Sequence, residues 1–220
     1  MPPEPRKPTF SEVANNKLLL VIVNFCFLSF NTSSYDVLLP LMYSTSIPVG
    51  GLGLKPFQIG TIMFVWGATN AILQVCFGGW IIRTLGPRKA FTLSLASMLV
   101  SFSAFSMESY LARHAGYINW HVMAFMGIQL TFNLLVSTAF GAGHVLVVQN
   151  ATSQETMGST NGLAQMANSG VRGLAPYLSS SLFSVTLQRR LLGGFLVYIV
   201  YAASMAGSIW TSLALPKGMM

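Results

Sequence analysis

Charge is what this chain has least of. Asp, Glu, Lys and Arg make up 8% of its 220 residues, and only 5 of them are acidic. An ordinary soluble protein carries roughly 25% charged residues, so this composition is too poor in charge to solvate a soluble domain of the same size. Thiols are nearly as scarce. Cys26 and Cys76 both sit in apolar segments, which argues against a disulfide framework and against a thiolate metal site. No catalytic motif and no phosphate-binding loop occurs, so neither enzymatic activity nor a cofactor or metal is expected. The N-terminus also lacks the basic end, short apolar core and small-residue cleavage site of a signal peptide.

What is present is apolar. Hydrophobic residues reach 53%, and most of the polar remainder is Ser, Thr, Asn and Gln. Six apolar segments stand out, at about 18–43, 57–82, 90–107, 121–148, 161–185 and 191–215. Each is of the length needed to cross a bilayer as a helix, since ~20 residues rising ~1.5 Å each span ~30 Å. The fold class is therefore all-α, a polytopic membrane protein of six transmembrane helices. Residues 1–17 are read as a polar, Pro-rich leader or linker remnant and 216–220 as a short tail. A net charge of +7 is compatible with a nucleic-acid partner, but the basic residues stand singly between apolar spans and fit membrane-flanking positions better. The expected partner is the lipid bilayer.

An even number of spans puts both termini on one side. With the termini cytoplasmic, inner segments hold Arg6, Lys7, Lys17, Arg83, Arg88, Lys89 and Lys217, against Lys55, Arg113, Arg189 and Arg190 outside. That is a positive-inside bias.

The fifth span is the most informative. On a helix, Asn161, Gln165, Asn168, Ser169, Arg172 and Ser179 fall within an arc of roughly 100°. Arg172 lies about 11 residues, or ~17 Å, from the start of this span. Facing lipid at that depth would cost at least ~2.5–3.5 kcal/mol, so it is expected to face protein or water. In the first span the run Asn31, Thr32, Ser33, Ser34, Tyr35 and Asp36, with Pro40 beyond it, predicts a helix unwound or kinked beside a cavity. Asp36 reads either as a proton-titrating or substrate-contacting carboxylate or as a wetted residue near the outer rim. Arg172 either pairs with Asp36 or meets an anionic group in a central cavity, and the span ends place Asp36 roughly 10 Å farther out.

The fourth span puts Gln129, Asn133, Ser137 and His144 within roughly 80° of arc, and two such stripes point to a shared water-filled path. His144, with no second ligand at metal spacing, reads as a structural residue. Trp66, Asn70, Gln74 and Gly78 form an i, i+4 row in the second span, a pattern expected to pack helices together. Residues 108–120 read as a loop. In the last span Ala202, Ala203, Ala206 and Gly207 give small-residue packing spacings, and Trp210 an interfacial anchor.

The turn Gly79-x-x-x-Arg83-x-x-Gly86-Pro87-Arg88-Lys89 resembles the cytoplasmic signature of the major facilitator superfamily, with Arg83 at the family's acidic position and Thr84 at its next basic one. SYDVLLPL (34–41), GGLGLKPFQIG (50–60), GPRKAF (86–91) and the stretch from ETMGSTNGLAQ to GVRGLAP (155–176) extend the likeness. Together they resemble the C-terminal, six-helix half of a fungal drug:proton antiporter of that superfamily. The resemblance implies two inverted three-helix repeats. Spans one and four would line the path, two and five border the partner half, and three and six face lipid. It also implies proton-coupled transport of a small organic solute past Arg172, Asp36, Asn31, Tyr35, Gln129, Asn133, Ser137, Gln165 and Asn168. Gly79, Arg83, Gly86, Arg88 and Lys89 would form a cytoplasmic gating loop. A second six-helix half or self-association is then expected, and this half alone should not transport. The alternative is a non-transporting membrane protein that packs against a partner.

Overall fold

A computed structural model describes residues 16–150, 156–213 and 215, and these fold into long helices without strands. In chain order they are α1 (Asn16–Ser44), α2 (Pro56–Leu85), α3 (Pro87–Ala115), α4 (Trp120–Gln149), α5 (Met157–Gln188) and α6 (Leu196–Leu213). Five of these are long and apolar enough to cross a membrane. The exception is α5, the longest at 32 residues, whose polar side chains dilute its apolar character.

Local chemistry sets the helix ends. Pro56 and Pro87 open α2 and α3 at positions where a missing N–H costs nothing. Gly86, at φ +78°, makes the tight turn between them, and Gly116, at φ +75°, ends α3. The Asn119 side chain accepts the Val122 N–H at 3.0 Å and caps α4.

Three expectations need correction. First, α1 is unbroken through residues 31–36. Asn31, Thr32 and Ser34 turn their side chains back to the carbonyls of Phe27, Leu28 and Phe30, each at 2.8 Å, so the polar run is satisfied inside an intact helix. Second, α3 continues to Ala115, and the supposed loop at 108–120 shrinks to 116–119, because nothing before Gly116 breaks the helix. Third, α6 begins only at Leu196, after a 3₁₀ turn at Leu191–Gly194.

The centre of the bundle is α3, which buries Phe91, Leu95, Met98, Phe102 and Phe105 against α1, α4 and α6. Its opposite face leaves Leu93, Val100 and Met107 exposed. Aromatic contacts tie α1, α3 and α6 together: Tyr35 lies 5.3 Å from Phe105, Phe102 stacks on Tyr201 at 5.2 Å, and Phe105 on Tyr198 at 5.5 Å. Such pairs add ~0.5–1.5 kcal/mol each beyond their burial. Alongside, α1 packs against α5.

The second helix stands apart, with Ile59 its one buried apolar side chain. A polar seam holds it to α4. Trp66 Nε1 donates to the Leu130 carbonyl at 3.2 Å, and Asn70 Nδ2 to Ser137 Oγ at 2.8 Å. Gln74 Nε2 reaches both the Leu134 carbonyl and Thr138 Oγ1, at 3.2 and 3.0 Å. These are the residues of the i, i+4 row. The seam ends in a wide π turn at Gln74–Gly78, a form common where a helix is fitted to a special contact.

Candidate solute path and its charged residues

A buried hydrogen bond between Ser29 Oγ and Asn168 Oδ1, 3.2 Å long, fixes the register of α1 against α5. Short turns make these two helices parallel. Counting from that bond, Asp36 lies seven residues along α1 and Arg172 four along α5, an axial offset of only three residues or ~4.5 Å. The ~10 Å inferred from span ends is thus too large. The fifth helix begins at Met157, earlier than its apolar run suggests, and packing rather than helix ends sets the register. Asp36 and Arg172 lie within electrostatic reach of each other. The Arg172 guanidinium also sits over the Phe140 ring of α4, 5.8 Å from its centroid. That position draws the cation to the ring's negative face.

The proposed path residues divide into two groups. Arg172, Asp36 and Gln165 are exposed. Asn31, Tyr35, Gln129, Asn133 and Asn168 are buried between its helices. Asn31 Nδ2 reaches Ser204 Oγ of α6 at 3.2 Å, Tyr35 stands in the aromatic core, and Gln129 Oε1 accepts the Tyr43 hydroxyl at 3.0 Å. Ser137 is half-buried and accepts from Asn70. The α4 stripe therefore does not open as one face. Gln129 is fully enclosed by α1 and α3, while His144, near the other end, is exposed and meets Phe25 edge-on at 5.0 Å.

In the basic turn, Gly86 supplies the left-handed conformation, and Gly79 has open space beside it. The Arg88 guanidinium donates to the Leu213 carbonyl and ties the start of α3 to the end of α6. Thr92 and Ser212 add a hydroxyl pair at 3.1 Å. Arg83 and Lys89 are exposed.

Glu108 is unmarked in the sequence, and Arg113 is marked there only as an outer basic residue. Glu108 is completely buried on α3, and Arg113 lies near its end. The row Phe102, Phe105, Ser109 and Ala112 continues the buried face with helical spacing up to Gly116, and that continuity was the available signal. Beside the α2–α4 seam lie cavities of about 410 and 490 Å³, the first bordered by Thr61, Trp66, Thr69 and Thr131, the second by Phe57, Gln58 and Met126. Neither is lined by a charged side chain. Among the described residues no group of three or more His, Cys, Asp or Glu is placed to hold a metal ion.

A family profile described as Major Facilitator Superfamily matches residues 2–176. The chain is 30% identical over 202 residues to the major facilitator-type transporter psiT2 of Psilocybe cyanescens, an alignment covering 87% of this chain and 38% of that protein. It is 27% identical over 183 residues to the major facilitator superfamily multidrug transporter mfsB of Aspergillus fumigatus, covering 78% and 29%. To the Arabidopsis thaliana protein Zinc Induced Facilitator-like 1 it is 23% identical over 185 residues, covering 82% and 37%. No solved structure matches the chain. The chain thus spans less than two fifths of the length of these curated relatives.

Proposed function

The chain belongs to the major facilitator superfamily and is an integral, multi-pass membrane protein, and on that premise we propose that it is one six-helix half of a proton-coupled secondary transporter of a small organic solute. Its six helices form two inverted three-helix repeats, α1–α3 and α4–α6. The packing supports this: α2 leans on α4 as α5 leans on α1, and α3 meets α6, the pattern an exchange of the two triplets would leave unchanged.

One observation carries the reading. Arg172 stands midway along α5 and is exposed on this half. Its charge cannot be titrated away at ordinary pH, and facing lipid would cost ~2.5–3.5 kcal/mol. Its face is therefore one that water and a second half cover, which makes it a wall of a central path. Asp36, within reach of Arg172, is the proton-carrying partner. Protonation removes its attraction for the guanidinium and frees α1 to move against α5, while Gln165 offers hydrogen bonds to solute beside them. Asn31, Tyr35, Gln129, Asn133, Ser137 and Asn168 hold the path-lining helices in register. Both termini are cytoplasmic, and the turn with Gly79, Arg83, Gly86, Arg88 and Lys89 is the gating loop between α2 and α3.

Alternating access needs two halves to rock about the site, so this half alone does not transport. The test is flux in liposomes under a proton gradient, with a panel of organic cations, zwitterions and anions. The chain alone is compared with the chain joined to a major facilitator N-terminal half. Gradient-driven accumulation is expected only in the joined form. Accumulation by the chain alone as a monomer would overturn the half-transporter reading. No flux in either form would return the alternative of a non-transporting packing partner.

A further inference from the structure

Glu108 is fully buried on α3, and neither of its carboxyl oxygens has a hydrogen-bond partner. It lies seven residues from the end of the helix at Ala115, ~10 Å deep. An ionised carboxylate left buried and unpaired costs several kcal/mol, so the closed arrangement holds it as the neutral acid. Its surroundings are unusual for a group meant to stay neutral. Tyr35 and Tyr43 from α1 and Tyr198 from α6 lie within its electrostatic reach. The hydroxyls of Tyr35 and Tyr198 are themselves buried and unpartnered. From α4 comes Gln129, joined to Tyr43, with its Nε2 unpartnered. Two idle O–H donors therefore stand within electrostatic reach of a carboxyl group that does not need them while protonated. Ionisation would give both donors a charge-assisted bond.

The end of α3 is tied to two connections just beyond Glu108. Arg113 donates to the Gly193 carbonyl at 2.5 Å and to the Val49 carbonyl at 3.1 Å, so it straps the α1–α2 loop to the α5–α6 turn. Ser109, next to Glu108, donates to the Gly50 carbonyl at 2.8 Å. Arg113 Nε is buried and unpartnered, which leaves one donor free on the cation of Glu108's own helix.

We propose that Glu108 is a second proton-binding site, separate from Asp36, enclosed by Tyr35, Tyr43 and Tyr198 and gated by the Arg113 strap. On release the carboxylic O–H bond breaks, the electron pair stays on the carboxylate, and the proton passes to water admitted when the strap lifts. The carboxylate then takes the Tyr35 and Tyr198 hydroxyls and draws Arg113 away from the backbone carbonyls, which holds the strap open until a proton returns.

The experiment is infrared difference spectroscopy of the chain in lipid, with ¹³C-carboxyl glutamate, across a pH series. It reads no flux, so its failure is distinct from failure of the half-transporter reading. The labelled protein is expected to show a protonated carboxylic band at neutral pH that vanishes reversibly as pH rises. That band is absent in Glu108→Gln and retained in Asp36→Asn. Arg113→Gln is expected to speed its deuterium exchange about tenfold, as for loss of one hydrogen bond to a charged group. A band that survives unchanged until the helices unfold, or one still present in Glu108→Gln, overturns the site. If Glu108→Gln does not fold, Glu108→Asp keeps a carboxyl group but removes the label at that position alone among the four glutamates. Loss of the labelled band then assigns it to Glu108, and its persistence overturns the site.

Discussion

The Arg113 guanidinium occupies the volume that a β-carbon on Gly50 would need. A β-carbon on Gly194, on the other side of the strap, would lie 2.6 Å from the same Nη2. Both glycines also have positive φ, +128° and +90°. The sequence thus keeps two side chains absent so that one arginine can lie flat against the backbone of two connections.

Gly50→Ala and Gly194→Ala are each expected to destabilise the chain by ~1–3 kcal/mol, through backbone strain and displacement of the guanidinium. Unfolding in mixed micelles, followed by circular dichroism, measures this. Arg113→Ala should then cost less in the Gly50→Ala background than in the parent, because the strap is already displaced. Strictly additive losses would show that the glycines and the arginine act separately.

The seam between α2 and α4 gives a second expectation. Asn70→Leu and Gln74→Leu should each lower stability by ~0.6–1.7 kcal/mol, the range for interhelical hydrogen bonds in membranes. Paired with Ser137→Ala and Thr138→Val respectively, double-mutant cycles should show coupling. Zero coupling in both cycles would mean that shape alone seats α2.

For the path, Arg172→Leu in a complete, transporting assembly is expected to abolish flux and leave expression largely intact. Asp36→Asn is expected to remove the dependence of flux on the proton gradient. The ~4.5 Å offset favours pairing of the two over a purely substrate-facing arginine. Normal transport by Arg172→Leu would reduce the residue to a snorkelling or packing role. Intact proton coupling in Asp36→Asn would leave Arg172 facing solute or the other half.

Topology has a simple check. Asn150-Ala-Thr152 is a glycosylation sequon at the end of α4, with 151 and 152 outside the described residues. With cytoplasmic termini it should stay unmodified in a eukaryotic host. Asn31-Thr-Ser33, inside α1, should be silent as well. A glycan on Asn150 would invert the assignment.

The helices were legible because apolar runs of bilayer length are conspicuous in a chain with so little charge. Arg172 stood out as the lone cation on a long helix whose polar side chains recur with helical period. The α2 row could be read because its amides recur with helical period and α2 has little else to offer a neighbour. Glu108 could not be read so easily. It sits among Ser, Tyr, Arg and His that look like a loop, and its burial is conferred by tyrosines of α1 and α6, distant in sequence. The run at 31–36 misled because hydroxyls and amides that bond their own preceding turn look, in sequence, like residues that break it. Axial register was out of reach, since it rests on the contact between Ser29 and Asn168.

The α2–α4 seam has a mechanical side. Trp66, Asn70 and Gln74 set their bonds along one line down the helix, and the face of α2 away from that line is exposed at Phe64, Val65, Ile72 and Val75. A row of collinear fastenings is a hinge. Rotation about the row keeps every fastening, whereas a twist of α2 about its own axis must open all of them together. The second helix is therefore fastened to the bundle chiefly along this row, with lesser contacts to α1 and α3. A load on its outer face reaches the backbone of α4 at Leu130 and Leu134.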